Sequence, residues 1–196
     1  MFNSNLKNAF PKKYSEEIKF ILNKLPLRVF STQTSNTFQV NLNQEEIYIP
    51  ERIYFEEISK ELYDEFTPIQ KTIVDCIYTR HENGFIREKY LYKLLQRGHC
   101  HYWVTPFLIK LSGEYVIEIL NVLKECLSQL NDTFIRTFLV ENRRIYNLTE
   151  QRTISYWNCY YREEFPVKNE YVGFQLLYYY RECLLKNRSN KEKSPY

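Results

Sequence analysis

The sequence predicts a mostly α protein, either an irregular helical bundle or a short HEAT-like array of antiparallel helix pairs around a long central helix, with a small N-terminal β-hairpin. Three observations carry this. From residue 51 onward the apolar residues recur at intervals of three and four, the spacing of one helical face. Only 4 Gly occur in 196 residues, whereas a sheet-rich chain needs Gly for its tight turns. Thr-Pro pairs at 67–68 and 105–106 twice set a capping side chain before a first-turn proline.

Residues 1–50 read as an N-terminal arm packed on the body, 51–186 as the helical domain, and 187–196 as a disordered basic tail. In the arm, residues 15–25 predict a short helix with Ser15 as its cap, Ile18, Ile21, Leu22 and Leu25 inward, and Pro26 as its stop. Residues 27–50 change character: Val29 is followed by period-two alternation over 37–42 and 46–49, with 43–45 free to turn. That stretch is either a hairpin lying on the helices or an extended loop.

The body predicts a helix over 52–65 carrying Phe55, Ile58, Leu62 and Phe66 on one face. A second starts at Thr67-Pro68 and stops at Asn83-Gly84, and a third over 85–96 ends at Gly98, making a helical hairpin. Residues 105–130 read as one long rod. Leu108, Leu111, Tyr115, Ile119, Val122, Cys126 and Leu130 form its stripe, and Lys110, Glu114 and Glu118 lie on its wet edge. Gly113 is its weak point, where a break with Ser112 capping a second helix is the alternative. Asp132 then caps a helix to about residue 145. Helices over 149–163 and 170–186 follow, the last with Phe174, Leu177, Tyr178, Arg181 and Leu184 or Leu185 inward.

The net charge of +3 is matched by the +3 of residues 186–196, leaving the remainder neutral by count. A nucleic-acid-binding domain carries its basic excess on the folded surface, so this distribution disfavours that class. The 5 Cys are odd in number and irregularly spaced, which argues against a disulfide framework and for a reducing compartment. The N-terminus has no apolar signal segment, and no run of about 18 apolar residues occurs, so the expectation is a cytoplasmic protein with no membrane partner.

No phosphate loop, nucleophile elbow or His-Glu-x-x-His pattern is present, and no cofactor is expected. The cluster His99-Cys100-His101 lacks the second ligand pair a zinc site needs, and no metal is expected. Glu114 with Glu118, and Glu57 with Glu61, share one-turn spacing but lack the Glu-x-x-His of di-metal bundles. Arg80 and His81 close a helix, where they serve its last carbonyls or, less well supported, acid–base chemistry.

The richest stretch is 152–162. On a helix Tyr156 and Tyr160 share one stripe and Trp157 and Tyr161 the next, with Arg152 and Arg162 at the ends. Trp, Tyr and Arg dominate protein-binding hot spots. Three consecutive tyrosines at 178–180 fan around a helix, so at least one faces outward, and Tyr179 joins the candidate binding residues. The expected function is therefore a non-catalytic protein-binding module, such as an immunity or antitoxin-type protein that occludes another protein. RNA binding through the same aromatic–Arg helix and the basic tail is the alternative, and an enzyme combining Arg80, His81 and Glu114 with Arg152 or Tyr156 is the third reading.

Overall fold

The computed structural model describes residues 6–26 and 36–186. The expected basic tail at 187–196 and Val29 of the expected β stretch lie outside them. The described chain is mostly helical with one small antiparallel sheet, and it forms two compact units, one up to Phe107 and one from Leu108.

In the first unit, α1 spans Ser15–Lys24 and buries Ile18, Ile21 and Leu22. Ser15 is its first residue rather than its cap, because a short 3₁₀ turn, Lys12–Tyr14, already leads into it. Strands β1 (Thr37–Leu42) and β2 (Glu45–Pro50) pair from Thr37↔Pro50 to Leu42↔Glu45. Asn43 and Gln44 between them have φ of +51° and +68°, the left-handed pair that a two-residue turn matched to strand twist requires. Phe38, Val40, Leu42, Ile47 and Ile49 form the buried face, as the alternation predicts.

The expected helix over 52–65 is shorter than its pattern. Only α2, Lys60–Glu65, is helical, opened by Ser59, whose hydroxyl accepts from Leu62 N–H. Residues ahead of it run extended because their carbonyls are claimed from outside. Arg80 donates to Pro50 O and Glu51 O, His81 Nε2 to Phe55 O, and the Tyr78 hydroxyl to Glu56 O. Ile53 pairs with the chain at His81, taking Arg80 O and giving its own carbonyl to Glu82 N–H. Those tertiary bonds replace the ones a helix would make within itself.

Helix α3 (Pro68–Tyr78) opens with Thr67 in a full capping box with Gln70, and Pro68 at the first position. Helix α4 (Gly84–Gln96) is capped by Asn83, and the two pack as a hairpin. Tyr78 and Tyr90 stack between them with centroids 4.5 Å apart, and buried Asp75 is ion-paired to Arg97 and accepts from Tyr63. Trp103 packs edge-on against Phe10 at 5.6 Å, and Phe10 stacks on Phe107.

His99 is buried here, bonded to the Thr105 hydroxyl at 2.9 Å. Burial first, and then the neighbouring His101, lower its pKa to about 4. Its ordinary value is near 6.5. Between those values the unfolded chain holds more protons, so stability is full above pH 6.5 and falls as pH drops toward 4. Melting temperature should decline over that window by the equivalent of at most about 3 kcal/mol. In His99→Gln this part of the decline should disappear.

The largest correction concerns residues 105–130, which are not one rod. Helix α5 is Thr105–Leu111, α6 is Ile117–Glu125, and a 3₁₀ turn, Leu127–Gln129, follows. The break comes at Gly113, but Ser112 does not cap α6. Its hydroxyl bonds back to Leu108 O and across to the Tyr180 hydroxyl, while the residue before α6 is Val116, with no capping side chain. Lys110 and Glu114, expected on a wet edge, are buried.

In the second unit α7 is Asp132–Glu141, capped by Asn131 rather than Asp132, and α8 is Arg143–Tyr156, separated from it at Asn142. A π-helical turn, Trp157–Tyr161, extends α8. Helix α9, Val172–Leu185, packs against α6, α7 and α8. It is the organising element of this unit, the place the sequence pattern gave to residues 105–130. Its inward stripe is Val172, Gly173, Leu176, Leu177, Tyr180 and Cys183, so Tyr178, Arg181 and Leu185 face out, not in. The five cysteines are free. No helix among the described residues is long and apolar enough to cross a membrane.

Candidate functional site

The 152–162 stretch leaves the α-helical register where its aromatics begin. Thr149 and Thr153 on α8 return their hydroxyls to Ile145 O and Thr149 O, both at 2.9 Å, a habit that loosens and bends helices. The π turn follows directly. Such single-turn insertions recur at functional sites because they re-aim side chains. Here they separate the two expected stripes.

Trp157 turns inward. Its indole N–H donates to Phe165 O at 2.9 Å, its ring meets Phe174 edge-on at 5.6 Å, and it is buried. The Arg162 guanidinium and the Lys168 ammonium lie over it, 5.6 and 5.3 Å from its ring centroid. Tyr161 stacks on buried Tyr171 at 5.1 Å and 22° and donates its hydroxyl to Tyr115 O. Burial raises the Tyr161 pKa, and the carboxylates of Glu118 and Glu164 raise it further.

That bond holds the backbone of the segment between α5 and α6, which carries Tyr115. Tyr115, Tyr156 and Tyr160 form a near-equilateral group, with centroids 5.8, 6.2 and 6.2 Å apart and planes inclined by 31–65°. Tyr160 is 66% exposed and Tyr115 51%, while Tyr156 is half-buried between them. Tyr161, 6.4 Å from Tyr160, links these surface rings to buried Tyr171.

Gly173 sits against Tyr171. A Cβ there would lie 2.6 Å from Tyr171 Cε1 and 2.8 Å from Thr153 Cγ2, inside any tolerated contact. Gly173→Ala should therefore destabilise by about 1–3 kcal/mol, seen as a lower denaturation midpoint. Tyr171 must shift, so the stacked Tyr161 and its bond to Tyr115 should loosen as well.

The other expected site residues fall elsewhere. Arg152 is half-buried one turn before Tyr156, its stem beside Gly113. Tyr179 is half-buried and donates to Asp132, which also pairs with Lys186, tying α9 to the start of α7. Arg80 and His81 lie in the first unit at 0% and 1% exposure. Arg80 is engaged with main-chain carbonyls, and His81 Nδ1 accepts from Asn83 N–H, which leaves Nε2 to donate to Phe55 O. Neither has the exposure a partner contact needs. The enzyme reading draws Arg80 and His81 from the first unit and Glu114, Arg152 and Tyr156 from the second.

Tyr115 joins this ring group, although the spacing over 105–130 places it on the buried stripe of a rod. The usable signal was Ser112-Gly113 just before it, which breaks the helix and frees the residue. Among the described residues no group of three His, Cys, Asp or Glu side chains is placed to hold a metal. No protein-family model, curated protein or solved structure matches the chain.

Proposed function

We propose that the protein is a non-catalytic, cytoplasmic protein-binding module whose contact surface is the tyrosine group Tyr115, Tyr156 and Tyr160. One observation carries this reading: large rings stand together at the surface, beside Tyr161, instead of being folded into the core. Tyrosine offers wide contact area with little rotamer entropy to lose. An immunity or antitoxin-type protein, which occludes another protein's working surface, is the concrete form of the proposal. Base stacking on RNA could use the same rings. The carboxylates of Glu118 and Glu164 beside Tyr161 count against it, because they repel a phosphate backbone.

The double variant Tyr115→Ser/Tyr160→Ser is expected to keep the wild-type melting temperature within the change typical of exposed positions, about 0.5 kcal/mol. It should also lose at least ten-fold in affinity for the protein partner that co-purifies with wild type. Unchanged partner binding by the folded variant would contradict the proposal.

A further inference from the structure

Elsewhere in this protein, the buried rings of Tyr63, Tyr90 and Trp157 carry the chain's own cations. Lys93 Nζ lies 3.9 Å from the Tyr63 centroid and 4.4 Å from that of Tyr90, and Trp157 carries Arg162 and Lys168. Among the described residues, no Lys or Arg lies over any ring of the exposed group Tyr115, Tyr156 and Tyr160. Its geometry nonetheless suits a cation. With centroids 5.8–6.2 Å apart and planes inclined by 31–65°, the rings stand as a triangle and not as a parallel stack. A cation about 4 Å above the middle of that triangle stands within ~6 Å of all three centroids, the range of attraction by ring quadrupoles. Glu118 and Glu164, whose charges already act on the adjoining Tyr161 hydroxyl, supply negative potential beside it. Both are exposed, so they can turn toward a ligand.

We infer that the tyrosine triangle receives an arginine or lysine side chain from a basic segment of the partner protein, with Glu118 and Glu164 as its electrostatic rim. The inference rests on the docking surface proposed above and specifies the chemistry of what docks there. Three rings sharing one cation give the contact a direction that apolar burial alone lacks. The carboxylates select against acidic partners and against nucleic acid.

The test uses the full chain and fluorescein-labelled (Gly-Arg)₄, read by anisotropy, with (Gly-Gln)₄ and (Gly-Glu)₄ as controls and labelled octauridylate as the nucleic-acid probe. The arginine peptide should bind and the controls should not. Tyr115→Leu/Tyr160→Leu should weaken it at least five-fold, because leucine keeps apolar area but has no ring. Tyr115→Phe/Tyr160→Phe should remain within two-fold, because the ring face and not the hydroxyl holds the cation. Glu118→Gln should weaken it about two-fold or more at low salt. Equal binding by the Leu and wild-type chains, or octauridylate bound more tightly than the arginine peptide, would overturn the inference. If the arginine peptide fails while Tyr115→Ser/Tyr160→Ser still loses the natural partner, the cationic ligand is refuted and the docking surface stands. If that double variant also keeps the partner, both fall.

Discussion

Trp157→Ala is expected to destabilise the second unit by about 3–5 kcal/mol, the range for removing a large buried ring that leaves a cavity. At roughly 2–4 °C per kcal/mol for a chain of this size, the melting temperature should fall by some 6–20 °C. The magnitude follows from position. The side chain is 6% exposed, its N–H holds Phe165 O, and its ring supports Phe174. Loss of the indole also removes the face on which Arg162 and Lys168 rest. Trp157→Phe should recover most of the packing but not the hydrogen bond, and so land between the two. Tyr160→Ala, only three residues away, should barely move the melting temperature, because that ring lies in water on most of its surface. A tryptophan whose removal leaves stability untouched would belong to the contact surface and not beneath it.

Arg80→Ala carries the second large effect, about 3–5 kcal/mol in the first unit, comparable to breaking a buried charge network. Arg80 has 0% exposure, and its guanidinium reaches Pro50 O at 3.3 Å, Thr79 O at 3.3 Å and Glu51 O at 2.7 Å. Those bonds hold the extended segment that follows β2 against the end of α3. Removing the fork leaves buried carbonyls without donors, each worth about 1–3 kcal/mol. Arg80→Lys should rescue little, since one ammonium on a flexible stem cannot span three acceptors fixed by a planar fork. Amide hydrogen exchange should locate the damage: protection at Ile53 and Glu82, whose N–H groups close the neighbouring bridge, should fall before that of α4. Retained protection there, with stability near wild type, would assign the hold on this segment to other contacts.

The parts of the fold that were legible in the sequence are those decided within a few residues. Thr67-Pro68 with Gln70 is a complete local instruction and gives the capping box seen. The alternation at 37–42 and 46–49 sets the hairpin's buried face, and Asn43 suits the left-handed turn, which Gln44 enters without that preference. Residues 52–59 misled because Phe55 and Ile58 suit a helix as well as the extended segment they occupy. Arg80, His81 and Tyr78, more than 20 residues away in sequence, decide between the two. Residues 105–130 misled for a related reason. The apolar spacing continues across Gly113, but α5 ends there, with Gly113 lying close to Thr149 and Arg152 of α8. Helix α9 is apolar around most of its circumference, so several stripes fit equally well. Only its packing on α6, α7 and α8 selects the one through Tyr180.

The candidate site was legible in composition and misread in detail. The stretch 152–162 does hold the surface rings, and the run 178–180 does fan as its length requires. Tyr178 points out, Tyr179 is tied to Asp132, and Tyr180 is fully buried. The π turn that sends Trp157 inward while leaving Tyr160 outside has no signature in residue type. It depends on the threonine bonds before it and the Phe165 carbonyl after it.

Whether this tyrosine surface meets another protein can be read directly by placing a photo-crosslinking phenylalanine at position 160 in the native host, with the same group at Phe85 as a control. Phe85 lies in the first unit at 81% exposure and is at least as accessible. A discrete, saturable protein adduct at 160 and none at 85 is the predicted outcome. No adduct at 160, or the same set of adducts at both positions, would contradict a docking role for these rings.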